Sequence, residues 1–396
     1  MSRPNPEVQT MRCAITLLLM VAVVPPWAAA SEEVEEVVAL ASGYVAEYGS
    51  TTPGALIAVV RDGEVVARQI TGAGDLGGGV PLAADSQMRI ASLTKQFVAV
   101  AVMLLVEDGR IALDDPVGRH LPVLREVVPA ATVRHLLQHT SGLPHHSMTF
   151  MNTERVPHDP GPPAGFLFAP LGSRPDDFMP TNEDVIDLLV EFPDLRFEPG
   201  TRWEYSNAGY VVLAQIVERV SGRPFHQFVR RELFAPLGMS SSGVLDERQP
   251  ELKRRAYSYV VTDDGFEERD YSPFNLLHGD GGIYSTLDDL IAWRRAFEPG
   301  VLLDRSSIAE IMRPARLDDG TRVTDTPRGA GYGMGWFLQD VDGRRELLHG
   351  GGWAAFRHAI HFVPEEDVWV VVLTNRSDTQ PYEMAEALAT AAAKDR

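Results

Sequence analysis

Strand-like runs lie at both ends of this 396-residue chain, and helix-like runs lie between them. Residues 55–60 and 64–70 are rich in Val, Ile and Ala and flank Arg61-Asp62-Gly63, a hairpin signal. Four more strand patterns follow late, at 332–339, 345–349, 356–362 and 368–374. Asp342-Gly343 joins the first of these pairs and Pro364-Glu365-Glu366-Asp367 joins the last, which favours antiparallel neighbours. One sheet therefore draws strands from the two chain ends. The expected fold is mixed α+β: an antiparallel sheet flanked by helices, with a mostly helical subdomain inserted at roughly residues 110–280.

Helical spacing supports that layout. Ser31 caps a run over 32–48 with acidic residues in its first turn. Residues 97–106 are ten apolar residues in a row, stopped by Glu107-Asp108-Gly109, and read as a buried helix. Further helices are expected at 182–191, 208–220, 225–234 and 383–393. Residues 144–180 hold eight prolines and little periodicity, the pattern of a long loop or lid.

Residues 1–30 read as an export signal. Arg12 precedes an apolar stretch at 14–24, and Ala28-Ala29-Ala30 offers a small-residue cleavage site. The stretch is too short to span a bilayer comfortably, so no stable membrane span is expected once it is removed. Residues 31–396 then form the working domain, in the periplasm or outside the cell. The only cysteine, Cys13, leaves with the signal, and with it any disulfide or thiol chemistry. With 36 Lys and Arg against 55 Asp and Glu, the formal charge is −19, and no basic run offers a footprint for nucleic acid or anionic lipid.

Three stretches carry possible chemistry. Ser92-Leu93-Thr94-Lys95 opens the buried helix, and a spacing of three puts hydroxyl and amine on one face. Next to ten apolar residues, Lys95 is poorly solvated, which lowers an amine's pKa and makes it a base. Read alone, the pattern also fits a serine cap followed by a solvent-reaching lysine. Tyr205-Ser206-Asn207 leads into the helix at 208–220; a phenol beside a lysine shuttles protons and an Asn amide orients a carbonyl. The same residues also fit a core aromatic and an N-cap. His349-Gly350-Gly351-Gly352 ends a strand pattern, where glycines permit close backbone approach and let a substrate lie as an added edge. A bulge between two strands fits it too.

In this order the three stretches are specific. Ser-x-x-Lys, Ser-x-Asn and Lys-Thr-Gly elements mark class A β-lactamases and penicillin-binding proteins. Tyr205-Ser206-Asn207 and His349-Gly350-Gly351 replace the last two here. The combination resembles the class C β-lactamase and D,D-peptidase-like serine hydrolases, which include small-ester esterases and D-amino-acid peptidases. Leu136-Leu137-Gln138-His139-Thr140-Ser141-Gly142-Leu143, Phe197-Glu198-Pro199-Gly200 and Gly281-Gly282-Ile283-Tyr284-Ser285-Thr286 add to the likeness, which spans about 52–375. It implies Ser92 as nucleophile, Lys95 as its activator, Tyr205 as proton shuttle and Asn207 as a substrate-orienting group. A Gly352 N–H is expected to face that of Ser92 as an oxyanion hole.

The expected function is therefore hydrolysis of an ester, amide or β-lactam in a small molecule or short peptide, through an acyl-enzyme, with no cofactor or metal. A small-ester esterase or a D-amino-acid peptidase or carboxypeptidase is favoured over an efficient β-lactamase, because His349 stands where the related enzymes carry lysine. A histidine with an ordinary pKa is only roughly a quarter protonated at pH 7. Neutral esters are then the better substrates, by a margin that narrows as pH falls towards 6, unless Arg357 supplies a fixed charge. The rival reading is a silent ligand-binding or regulatory protein, which has no need of Ser92, Lys95, Tyr205 and Asn207 together. Gly72-Ala73-Gly74-Asp75-Leu76-Gly77 matches a dinucleotide fingerprint, but glycines and a proline follow where a helix must start. His135 and His139 stand four apart without a third ligand, and read as structural; His145, His146 and His158 read as solvated.

Overall fold

The computed structural model describes residues 32–145, 180–245, 252–270 and 272–393. The expected export signal at 1–30 and all but the ends of the 144–180 stretch lie outside them. Among the described residues, seven strands form one antiparallel sheet: β1 (Ala55–Arg61), β2 (Glu64–Thr71), β3 (Gly331–Tyr332), β4 (Phe337–Val341), β5 (Arg344–Trp353), β6 (Phe356–Val363) and β7 (Val368–Thr374). Their order is β3-β4-β5-β6-β7-β1-β2, so the two chain ends meet where β1 pairs β7, from Ala55 opposite Thr374 to Arg61 opposite Val368.

β1 is apolar from Ala55 to Val60 and β7 from Val368 to Leu373, because both faces of the sheet are covered there. Leu56, Ala58, Val60, Trp369, Val371 and Leu373 point into the larger core, which the inserted helices complete. Ile57, Val59, Val368, Val370 and Val372 point to the other face, under α1 (Glu32–Tyr44) and the C-terminal helix Pro381–Ala392. Between β2 and β3 lie α2 (Thr94–Glu107), α3 (Asn182–Glu191) and α4 (Asn207–Ser221); the C-terminal helix is α5. α2 is apolar all round and nearly every residue of it is buried, with Phe97 stacked 3.7 Å from Trp293.

Some elements differ from expectation. The 332–339 pattern splits into β3 and β4, because Gly335 takes φ +78° in a turn pressed onto the Lys95 carbonyl. The 345–349 pattern grows into the ten-residue β5, so His349, Gly350, Gly351 and Gly352 are strand interior and not a bulge. α4 is capped by Ser206, whose hydroxyl accepts the Gly209 N–H, so Asn207 is its first residue instead of its cap. The helix at 225–234 passes from α to π geometry at Arg230. No helix follows the glycines of 72–79; Ala73–Asp75 pairs with Val80–Pro81 instead.

Candidate active site

The site lies where the N-terminus of α2 meets the end of β5. Ser92 sits in a single 3-10 turn, Ala91–Leu93, just before α2, and Ala91 has φ +52°. A non-glycine residue in that region is strained by about 1 kcal/mol or more, and tertiary contacts must hold it there. β5 supplies one: a Cβ on Gly351 would collide with the Ile90 carbonyl oxygen, so glycine lets the strand close onto the serine turn.

Lys95, one turn along α2, is fully buried. Its Nζ lies 3.1 Å from Ser92 Oγ and donates to the Asp280 carbonyl at 2.8 Å. Burial lowers its pKa to about 7, against the opposing pull of the Asp280 carboxylate. The solvent-reaching lysine is thereby excluded. Tyr205 lies below the amine, 4.9 Å from Nζ to ring centre, with its hydroxyl hydrogen-bonded to Ser92. Burial holds that phenol well above 10 although the Ser92 bond opposes the shift. At neutral pH the pair is thus an amine able to accept a proton and a phenol able to donate one.

Asn207 gives Nδ2–H to His145 Nε2 at 2.8 Å, while its buried Oδ1 has no partner among the described residues. His145 is therefore engaged at the site and not simply solvated. His135 and His139 separate: α-helical geometry ends at Leu137, and His139 takes φ +59°. His135 bonds Asp318 at 3.3 Å, whereas His139 is buried among Tyr205, Tyr210 and Tyr332. Among the described residues no cluster of three or more His, Cys, Asp or Glu is arranged to hold a metal.

His349 corrects an expectation. Ser206 N–H donates to His139 Nδ1 (3.2 Å), which leaves Nε2–H of a neutral ring to donate to the Tyr332 oxygen (3.2 Å). The Tyr332 O–H then points at His349 Nε2 (3.3 Å), and His349 Nδ1–H donates to the Gly350 carbonyl (2.7 Å). The hydrogen-bond network assigns these tautomers, and the Tyr210 hydroxyl also lies within hydrogen-bonding reach of Tyr332. Burial, and next the nearby Lys95 charge, lower the His349 pKa to about 3. This histidine gains no charge near pH 6 and cannot read a substrate carboxylate there. Arg357 Nη1 donates to the carbonyls of Ala354 and Phe356, which ties its guanidinium to the turn between β5 and β6.

The site also contains residues that sequence reasoning passed over. Asp280 precedes the glycine pair of a noted motif, Tyr332 lies in a noted strand, and Tyr382 opens α5; what they touch comes from distant segments. The beta-lactamase family profile matches residues 39–394. The chain belongs to the beta-lactamase family. It is 31% identical to a penicillin-binding protein of Bacillus subtilis over 77% of this chain and 64% of that one. Against Esterase EstB of Burkholderia gladioli it is 32% identical over 73% of this chain and 76% of the esterase. The solved octameric penicillin-binding protein homologue from Pyrococcus abyssi superposes with a TM-score of 0.74 at 27% identity, covering 90% of this chain and 77% of that one. The chain thus spans 64%, less than two thirds, of the Bacillus relative's length. A D-aminopeptidase of Gluconobacter oxydans is a further relative, 29% identical over 86% of this chain and 59% of that one. Among the described residues, no helix is long and apolar enough to cross a membrane.

Proposed function

We propose that the protein is an exported serine hydrolase that cleaves esters or amides of small molecules through an acyl-enzyme on Ser92. The observation that carries this reading is a buried Lys95, with a pKa of about 7, at 3.1 Å from Ser92 Oγ. The neutral amine takes the Ser92 proton as Oγ attacks the carbonyl. Oxyanion charge falls on the N–H groups of Ser92 and Gly352, the second supported by the tight packing of Gly351 on the serine turn. Tyr205 O–H gives a proton to the leaving group and recovers one from Lys95. Water then enters by the reverse path, and attack on the acyl carbon frees Ser92. Asn207, whose Oδ1 has no partner among the described residues, is suited to accept a substrate N–H.

His349 is neutral and engaged at both nitrogens, so it gives an anionic β-lactam no fixed positive charge. Esters and amides are accordingly favoured over β-lactams. Export rests on the 1–30 pattern, and a mature N-terminus at Ser31 in the secreted fraction would support it. The test of the chemistry is labelling with a fluorophosphonate alongside turnover of a nitrophenyl ester, a D-alanyl amide and a chromogenic cephalosporin. Ser92→Ala should abolish labelling and cut turnover by at least ~1,000-fold. Undiminished labelling at another serine would sink the assignment.

A further inference from the structure

The open edge of β5 is shorter than it looks. β4 pairs only with Arg344–Leu348 of this strand, its first residue Phe337 standing opposite Leu348. Among the described residues, no strand lies opposite 349–353 on that side. On the other side β5 turns into β6 through Ala354 and Ala355, with Trp353 paired to Phe356 and Ala354 at φ +49°. A two-residue hairpin loop makes its flanking pair the hydrogen-bonded one, and bonding alternates from there. Gly352 and Gly350 therefore turn their N–H and C=O groups outward to the open edge, while Gly351 and His349 turn theirs to β6.

Gly350 is already occupied. Its carbonyl accepts His349 Nδ1–H at 2.7 Å, and its N–H meets the Tyr382 hydroxyl. The Tyr382 ring fills the space that any Cβ at 350 would need. That ring is held from behind, because Arg328 stacks 4.4 Å from its centre and pairs at 3.1 Å with Glu386, one turn along α5. Beyond it stand Tyr332, Phe337 and Leu348, with Trp203 and Tyr382 packed against them. One outward-facing residue is left for a ligand: Gly352, beside Ser92.

We infer that Tyr382 is a specificity-determining residue that closes the β5 edge just past the reacting bond and restricts the leaving group to a single residue or a small alcohol or amine. This rests on the acyl-transfer reading above and adds the substrate's length to it. Each strand pair in the sheet is antiparallel. A substrate docked in the same sense uses one residue for both Gly352 bonds, its carbonyl accepting the Gly352 N–H. The next residue towards its C-terminus passes Gly351, and the one after that arrives at Gly350, where donor and acceptor are taken. A longer leaving group then meets an aromatic wall and leaves its own backbone groups without partners.

The experiment uses the full chain and three acetate esters whose leaving groups are lactate, lactyl-glycine and lactyl-glycyl-glycine, with nitrophenyl acetate as reference. kcat/KM should fall at least ~50-fold from the one-residue to the two-residue leaving group, a drop of the size expected when buried polar groups go unpaired. Tyr382→Ala should bring the two within ~3-fold of each other, while Tyr382→Phe, which frees the Gly350 N–H but keeps the ring, gives an intermediate ratio. Equal turnover of all three esters by the wild type overturns the inference, as does failure to use the lactate ester when nitrophenyl acetate is hydrolysed. If Tyr382→Ala does not fold, an unchanged ratio in Tyr382→Phe overturns it. Absence of both labelling and nitrophenyl acetate hydrolysis in the wild type instead removes the acyl-transfer reading itself.

Discussion

The pH dependence of turnover follows from where Lys95 is buried. With a pKa of about 7, its amine is about 90% unprotonated at pH 8, against roughly 0.3% for an ordinary lysine at 10.5, a ~300-fold gain in working base. kcat/KM for a neutral ester should climb about tenfold per unit below pH 6, bend near 7 and level off above 8. The inflection belongs to the Lys95–Tyr205 pair, because a hydrogen bond to Ser92 from each couples their protons. No second inflection should come from His349, whose pKa lies at about 3. The ratio of a neutral ester to a carboxylate-bearing analogue should accordingly stay level from pH 5.5 to 8.5. The assay is initial-rate hydrolysis of both esters across that range, with Ser92→Ala as background. A midpoint above pH 9 would refute the reasoning about Lys95. A ratio that narrows towards pH 6 would refute the placement of His349.

Asp280 raises the Lys95 pKa while Arg89, His145 and Lys95 face its own carboxylate, so Asp280→Asn should move the inflection to lower pH; an unmoved or raised midpoint in the same assay counts against it. Gly351→Ala drives a methyl into the Ile90 carbonyl, and should cost about 1–3 kcal/mol in urea unfolding and lower kcat/KM at least ~100-fold by shifting Ser92. Far from the site, burial opposes ionisation of Glu346, yet hydrogen bonds from His361 and Arg344 hold its pKa at about 2. That stabilisation is complete above the ordinary glutamate pKa and is lost as pH falls towards 2. Glu346→Gln should therefore cost about 3 kcal/mol at pH 7 and progressively less below pH 4, as followed by urea unfolding at each pH.

Periodicity and turn chemistry made most of the fold legible. Val368–Thr374 is a strand in both readings because a left-handed Asp367 bounds an unbroken apolar run. Ser92 and Lys95 were legible because a spacing of three at the start of an apolar helix fixes their relation locally. What sequence did not convey depends on remote neighbours. Nothing near Gly335 announces that its turn must fit the Lys95 carbonyl, so one strand was expected where two exist. His349 was given an ordinary pKa because its burial and its link through Tyr332 to His139 depend on segments far apart in the chain. Asp280 and Tyr382 escaped for the same reason, since neither lies within a local pattern that carries chemistry.

The seam between β1 and β7 also sets when this molecule can begin to work. Gly54 N–H donates to Asn375 Oδ1 across 321 residues, and Asn375 also donates to the carbonyls of Ala73 and Tyr257. Synthesis delivers Ser92, Lys95 and Tyr205 long before Gly351 and Gly352, so the proposed nucleophile exists for most of translation without its opposing strand. Until β7 arrives, β1 is an apolar strand with an unfilled edge, the kind of surface that joins chains together. Such distant pairing also makes closure slow, because the loop entropy is lost before the contacts form. A chain cut before Val368 should hold every proton-transfer group yet remain inactive and prone to aggregate. Completion of the sheet is in this sense the switch that turns the proposed set of catalytic side chains into an enzyme.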